Sequence, residues 1–266
     1  MLDISKATKF KTIEEIKSVA PSIFTSKAFD EVSKNYIHIP TNQIVEDMEA
    51  LGWKVVDAKQ VKSRKDKYKG YQKHLLVFRN TDVVINGENG DTVFPQILIS
   101  NSHDGKSAFV FRAGLYRLVC ENGLVVANKE FERVSIRHVG YSFEELRKTI
   151  SMMVEKLPLT VDSMNKLRKI QMDEKQKEEF AKRAFKLRFN QEVKFDLNEL
   201  IKPTRPEDAG SDVWSVYNVI QEKLINGGFE YTNENGKFRK GRKIKNFQQD
   251  IKLNEQLYEL ATEYAC

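Results

Sequence analysis

The chain has 266 residues, 40% of them hydrophobic and 31% charged, with a formal net charge of +6. That composition can bury one large core or two smaller ones and excludes a chain disordered throughout. No apolar run approaches the roughly 18 residues that span a bilayer. The N-terminal MLDISKATKFKTIEEI lacks the apolar centre of a secretory signal, so a cytoplasmic setting and no membrane partner are expected.

Taken in order, the elements read as an α+β fold: an antiparallel sheet meander packed on helices, followed by a mainly helical C-terminal part. Thr41 reads as the N-cap of a helix over Asn42 to Leu51, where Ile44, Val45, Met48 and Leu51 share a face and Gly52 stops the run. Trp53, Val55 and Val56 open a strand. Leu75 to Arg79 is a second strand, and Asn86 to Gly90 a turn cluster. Val93 to Ser100 and Ala108 to Phe111 complete the meander around Asp104-Gly105, a favoured turn pair that carries Asn101, His103 and Asp104 on a tight loop. That loop is either a recognition edge or a well-made turn.

In AGLYRLVCENGLVV, Leu115, Leu118 and Val119 fit a short helix capped by Asn122-Gly123, while a continuing strand with an Asn-Gly hairpin is the alternative. On the helical reading, Arg117 pairs with Glu121 at i+4. Phe131 to His138 alternates as a strand does. Ser142 and Glu145 form a capping box for a helix through Leu157, which Pro158 breaks, with helix resuming after Thr160. Two amphipathic helices then meet near Met172, and Val213 to Ile225 and Ile251 to Ala265 are further helices. Residues 1–140 thus read as a mixed core and 141–266 as a mainly helical part. The two are one continuous domain or two closely packed ones, with Pro203, Pro206 and Gly210 marking a linker near 200–211.

The charge is concentrated. Between Lys54 and Lys73 a basic stripe includes Lys62, Arg64, Lys65, Lys67 and Lys69, interleaved with Tyr68 and Tyr71. A second runs from Lys237 through Phe238, Arg239, Lys240, Arg242 and Lys243 to Lys245 without an acidic residue. Lys and Arg neutralise phosphates, and exposed aromatic rings stack on bases, which is the combination that binders of single strands use. Either stripe could equally be a solvated face. Arg112, on the returning strand, joins these as a candidate contact.

Catalytic signals are weak. The two cysteines, Cys120 and Cys266, make neither a disulfide framework nor a thiolate site, and Cys120 reads as a small buried residue. His103, Asp104 and His138 could in principle ligate a metal, but the spacing is unspecific, and His38 and His74 are isolated in the sequence. The residues therefore assign no metal and no cofactor. No phosphate-binding loop, dinucleotide fingerprint or nucleophile elbow occurs.

The runs KHLLVFR (73–79), NSHDGKSA (101–108) and GLYRLVCENGLVV (114–126), with WSVYNVIQEKLINGG (214–228) and DIKLNEQLYELA (250–261), resemble the domain-of-unknown-function 932 family, the phage/plasmid-like proteins. The resemblance covers nearly the whole chain, apart from the lysine-rich insert of Lys62 to Lys69. It implies a mobile element, a host-cell cytoplasm, and neighbouring replication and recombination functions; it implies no reaction. The order of helix, meander and long helix is also similar to the β-β-β-α arrangement of single-strand annealing recombinases, which is fold analogy alone. The leading expectation is a non-enzymatic protein that binds or anneals single-stranded DNA, possible as a homo-oligomer. The alternatives are a metal-dependent nuclease using the His103/Asp104 loop and a structural or interaction protein of a phage.

Overall fold

The computed structural model describes residues 9–63, 65–86, 92–118, 122–125, 134–138, 142–189 and 193–265. The chain divides into two compact units, Met1–Asn86 with Thr92–Gly123 and Glu132–Leu157, and Gly87–Asp91 with Leu124–Phe131 and Pro158–Cys266.

In the first unit, helix α1 (Ile13–Val19) starts at a reciprocal cap. Thr12 Oγ1 accepts the Glu15 N–H and Glu15 Oε2 accepts the Thr12 N–H, satisfying two donors that a helix start leaves open. Helix α2 (Thr41–Ala50) follows, and its buried Ile44, Val45 and Met48 form the expected face. The expected cap is corrected: Pro40 occupies the N-cap position and no side chain caps the helix. The Thr41 hydroxyl is drawn instead into a buried network described below.

The sheet is a mixed-length antiparallel array in the order β1-β2-β4-β5-β6, with β3 and β7 paired to β4 and β5 respectively. Its strands are β1 (Lys54–Gln60), β2 (His74–Arg79), β3 (Ile85–Asn86), β4 (Thr92–Asn101), β5 (Phe109–Arg117), β6 (Asn122–Val125) and β7 (Val134–Ile136). Every residue of β2 is buried, as is the nine-residue run from Val93 to Asn101 in β4. Sheets covered on both faces lose the alternation of a half-exposed strand and read as unbroken apolar runs. The register sets His74 opposite Asn101 and Phe78 opposite Ile97, while β5 continues the array with Ile97 opposite Ala113 and Phe94 opposite Tyr116.

That pairing corrects the short helix expected at AGLYR. Gly114 to Arg117 extend β5, because β4 offers partners from Gln96 back to Val93 and both Leu115 and Tyr116 are buried. Asn122-Gly123 lies in β6 rather than at a helix end. Arg117 therefore ends a strand and is not on a helix; its expected partner Glu121 lies outside the described residues, as do Cys120, Arg64 and residues 87–90.

Helix α3 (Phe143–Arg168) corrects a second reading: its 26 residues run through Pro158 without a break. Proline removes one backbone donor and crowds the preceding turn, a local cost that a helix of this length absorbs. The remaining elements are α4 (Glu174–Arg188), β8 (Lys194–Phe195), α5 (Leu197–Ile201), α6 (Val213–Asn226), β9 (Gly227–Thr232), β10 (Phe238–Arg242) and α7 (Phe247–Thr262).

In the second unit α4, α6 and α7 pack on one another around Phe180, Ala184, Tyr217, Ile220, Leu257 and Tyr258, and α6 also meets β9 and β10. Met172 is buried between α3 and α4, where its N–H reaches Ser211 O and the Val213 N–H reaches Ile170 O. Arg205 bridges Asp208 and Glu222, tying down the proline-containing segment. The three-stranded sheet β10-β9-β8 has β10 at its edge. Each unit buries one tryptophan, Trp53 in the first and Trp214 in the second. No helix among the described residues is long and apolar enough to cross a membrane.

Candidate functional site

All four histidines of the chain converge in the first unit, at the end of β2 and β4. His103 is fully buried, its ring centroid 4.5 Å from that of His38 and 5.2 Å from that of His74. None of the sequence spacing foretells this. His74 heads β2 directly opposite Asn101, the last residue of β4, and His103 follows two residues on.

The hydrogen bonds assign protons to most of the cluster. Asn101 Oδ1 accepts the Ser102 N–H at 2.8 Å, which fixes the orientation of the amide. Its Nδ2 then donates to Thr41 Oγ1 at 3.0 Å. With that acceptor occupied, the Thr41 hydroxyl donates to His74 Nε2 at 3.0 Å. His74 Nδ1–H faces Gln72 O at 3.0 Å and Ser22 Oγ at 2.9 Å. His74 is thus a neutral Nδ1–H imidazole, and burial holds its pKa down to about 4. His103 has no such support. Neither of its ring nitrogens makes a well-formed hydrogen bond, and burial, followed by the neighbouring histidines, pushes its pKa down to about 2 against the opposing pull of the Ser22 backbone.

His138 is different. Its Nε2 faces Asn101 Oδ1 at 2.9 Å and its Nδ1 faces Ile37 O at 3.0 Å, so both nitrogens point at acceptors and only the imidazolium can donate to both. Burial works the other way: it lowers the pKa, opposed by the Ile37 carbonyl and aided by His38. The ring stacks on Tyr36 at 4.5 Å with planes 12° apart. The Tyr36 hydroxyl donates to Ser102 O, and its pKa is raised by burial and by Asp104.

The loop 102–108 joins β4 to β5 above this cluster. Asp104 Oδ1 accepts from Ser102 Oγ at 2.7 Å and from the Lys106 N–H at 3.1 Å, and Ser107 Oγ donates to Ser102 Oγ at 2.7 Å. Gly105 has φ +73°, and a side chain there would stand 3.1 Å from Val32 Cγ1. Turn chemistry therefore accounts for Asp104 and Gly105. Asn101 and His103 face inward, and among the described residues no group of three or more His, Cys, Asp or Glu is arranged to hold a metal ion.

The basic stripes differ in how their charge is used. In the first, Lys67 Nζ lies 3.0 Å from both carboxylate oxygens of Glu31, and Lys69 pairs with Asp66 at 2.7 Å. Tyr68 packs 5.0 Å from Phe29 with Lys106 Nζ 3.8 Å from its ring centre. Tyr71 sits edge-on to Phe29 at 5.3 Å, and its carbonyl accepts the His103 N–H. Lys62 and Lys65 are exposed. Arg112 is half-buried on β5, with Nη1 3.4 Å from Ser100 Oγ.

The second stripe lies on the β9–β10 hairpin of the other unit. Phe238 is 65% exposed, and Arg239, Lys240, Arg242 and Lys243 are exposed beside it. None of these four cations pairs with a carboxylate of the described residues. The hairpin is rigidly seated: Arg188 donates to Leu224 O and Arg242 O, and Gly241 lets the strand lie against the Phe229 ring, which a side chain at 241 would meet at 2.5 Å.

These features define an α+β protein with an antiparallel sheet that buries a histidine and asparagine network and a helical unit that carries a basic edge strand. A family model described as Domain of unknown function (DUF932) matches residues 28–258, and the chain belongs to that family. It is similar to two proteins of Escherichia coli (strain K12), UPF0380 protein YfjQ at 27% identity and UPF0380 protein YafZ at 28%. Each match spans 251 residues, 94% of this chain and 90% of the relative. No solved structure matches the chain.

Proposed function

We propose that the protein binds single-stranded nucleic acid through the β9–β10 hairpin. The reading is carried by Phe238, a large ring left 65% exposed amid cations that have no described carboxylate partner. An exposed ring beside phosphate-neutralising side chains suits a strand with splayed bases, since stacking accepts any base and the charge tracks the backbone. The edge position of β10 adds a structural role for the same charge, because cations on an edge discourage pairing with another sheet. Single-stranded DNA exposed during replication or recombination of a mobile element is the ligand favoured by the family resemblance.

Fluorescence anisotropy with labelled single- and double-stranded oligonucleotides at several salt concentrations tests this. Each phosphate contact contributes about 0.7 to the slope of log affinity against log salt for a single strand. The quadruple substitution of Arg239, Lys240, Arg242 and Lys243 to Ala is expected to flatten that slope by roughly 2 to 3. Phe238→Ala is expected to weaken single-strand binding by about tenfold or more without changing the slope. An unchanged slope in the quadruple variant would remove the hairpin from the interface.

A further inference from the structure

A pocket of about 410 Å³ opens beside the histidine cluster, in the volume range of small-molecule sites. Tyr36 and His138 line it together with Ser33, Ser107, Lys106 and Arg137. Two carboxylates, Glu31 and Asp104, also line it, Glu31 paired with Lys67 and Asp104 engaged through one of its two oxygens. Glu31 holds Lys67 with both oxygens, and Asp104 Oδ1 accepts from Ser102 and from the Lys106 backbone. Arg137 is exposed and makes no ion pair with any described residue. The pocket therefore offers a guanidinium with no ion pair among the described residues, an ammonium held over Tyr68 and the Ser33 hydroxyl, a donor set that exceeds what the two oxygens of a carboxylate can use.

Behind this set lies His138, whose two nitrogens face acceptors. Its titratable and charged surroundings are Tyr36, stacked on the ring, His38, His74 and His103 on the core side, and Arg137, Lys106, Glu31 and Asp104 on the pocket side. The three other histidines are held below their ordinary pKa by burial and stay neutral at neutral pH. Burial favours the neutral ring, and an anion in the pocket would add negative charge beside Asp104, its field favouring the imidazolium, the form that can donate to both acceptors.

We propose that this pocket binds the phosphate group of a small ligand, with Arg137 as its direct partner, and that binding draws a proton onto His138. His138 makes no hydrogen bond to the anion, since both nitrogens are taken; it acts as a charge in the wall. The site is independent of the β9–β10 hairpin.

Sulfate is the decisive probe, because a tetrahedral dianion that does not titrate near neutrality leaves the protein as the only source of a proton change; inorganic phosphate is the second probe. Calorimetry in two buffers of different ionisation heat is expected to show sulfate affinity rising as pH falls from about 8 to about 6, with uptake approaching one proton. Arg137→Ala, an exposed change that leaves the core intact, is expected to weaken sulfate by about tenfold or more. The Arg239→Ala/Lys240→Ala variant is expected to bind sulfate as the wild type does, which separates the pocket from the hairpin. His138→Gln is expected to bind more weakly and without proton uptake. Should that variant fail to fold, the imidazole proton resonances of the wild type give the same answer, since one histidine must move to higher pKa when sulfate is added. Failure of the wild type to bind either anion, indifference to Arg137→Ala, or binding without proton uptake would each overturn the proposal.

Discussion

Thr41 and His103 belong to one buried cluster but differ completely in how well they are satisfied. Thr41 donates to His74 and accepts from Asn101, so Thr41→Val would leave His74 Nε2 without its donor and Asn101 Nδ2 with only the 3.4 Å contact to Ile39 O. A loss on the order of 3 kcal/mol in chemical denaturation is expected. His103 makes no well-formed hydrogen bond at either nitrogen, and His103→Leu should gain about 1 kcal/mol by removing a desolvated polar ring at little change in volume. A large loss in His103→Leu would show that the ring has a partner or a role beyond packing. Asn101 and His103 were visible in the sequence as polar residues of the loop around Asp104-Gly105. His138 was noted there as a possible metal ligand, but the meeting of Ser22, Thr41, His74 and His138 at the site was not visible, because they come together across 33 to 101 residues of chain in contacts such as Thr41 with His74 and Ile37 with His138. Local spacing contains no trace of a strand register that has yet to form.

Elements were easier to foresee where their burial is one-sided. Helices α2, α4 and α7 each bury a stripe and were read from it, whereas α6 is buried all round from Val213 to Gln221; the capping box at Asp173 and Gln176 marks the start of α4. Strand β5 was misread at its end because both faces are covered, so Leu115 and Leu118 mimic a helical repeat. Pro158 misled for a different reason: its cost is local, while the neighbouring turns hold the helix together. At this scale a tight constraint falls on β10. Gly241→Ala would drive a methyl group into the Phe229 ring, and we expect a loss of about 1 to 3 kcal/mol in denaturation. Peeling the hairpin from α6 should also cost nucleic-acid affinity if the hairpin is the interface, although the substituted residue carries no charge.

The whole molecule divides its acid sensitivity unevenly, since every histidine lies in the first unit. The pKa values of His74 and His103 fall from 6.5 to about 4 and about 2 on folding, so the unfolded chain takes up protons first. Their contribution to stability is complete above about pH 6.5 and is lost as pH falls below it, at about 1.4 kcal/mol per pH unit for each group until its folded pKa is reached. Hydrogen exchange at about pH 5 is therefore expected to show lost protection in β2 and β4 with α6 and α7 retained. Equal loss in both units would contradict it. The paired tryptophans turn this into an optical measurement. With Trp53 and Trp214 buried one to a unit, Trp53→Phe and Trp214→Phe give two chains whose emission reports on one unit each. Acid should shift the Trp53 signal to the red before the Trp214 signal, so the molecule carries a separate lamp for each half of its own unfolding.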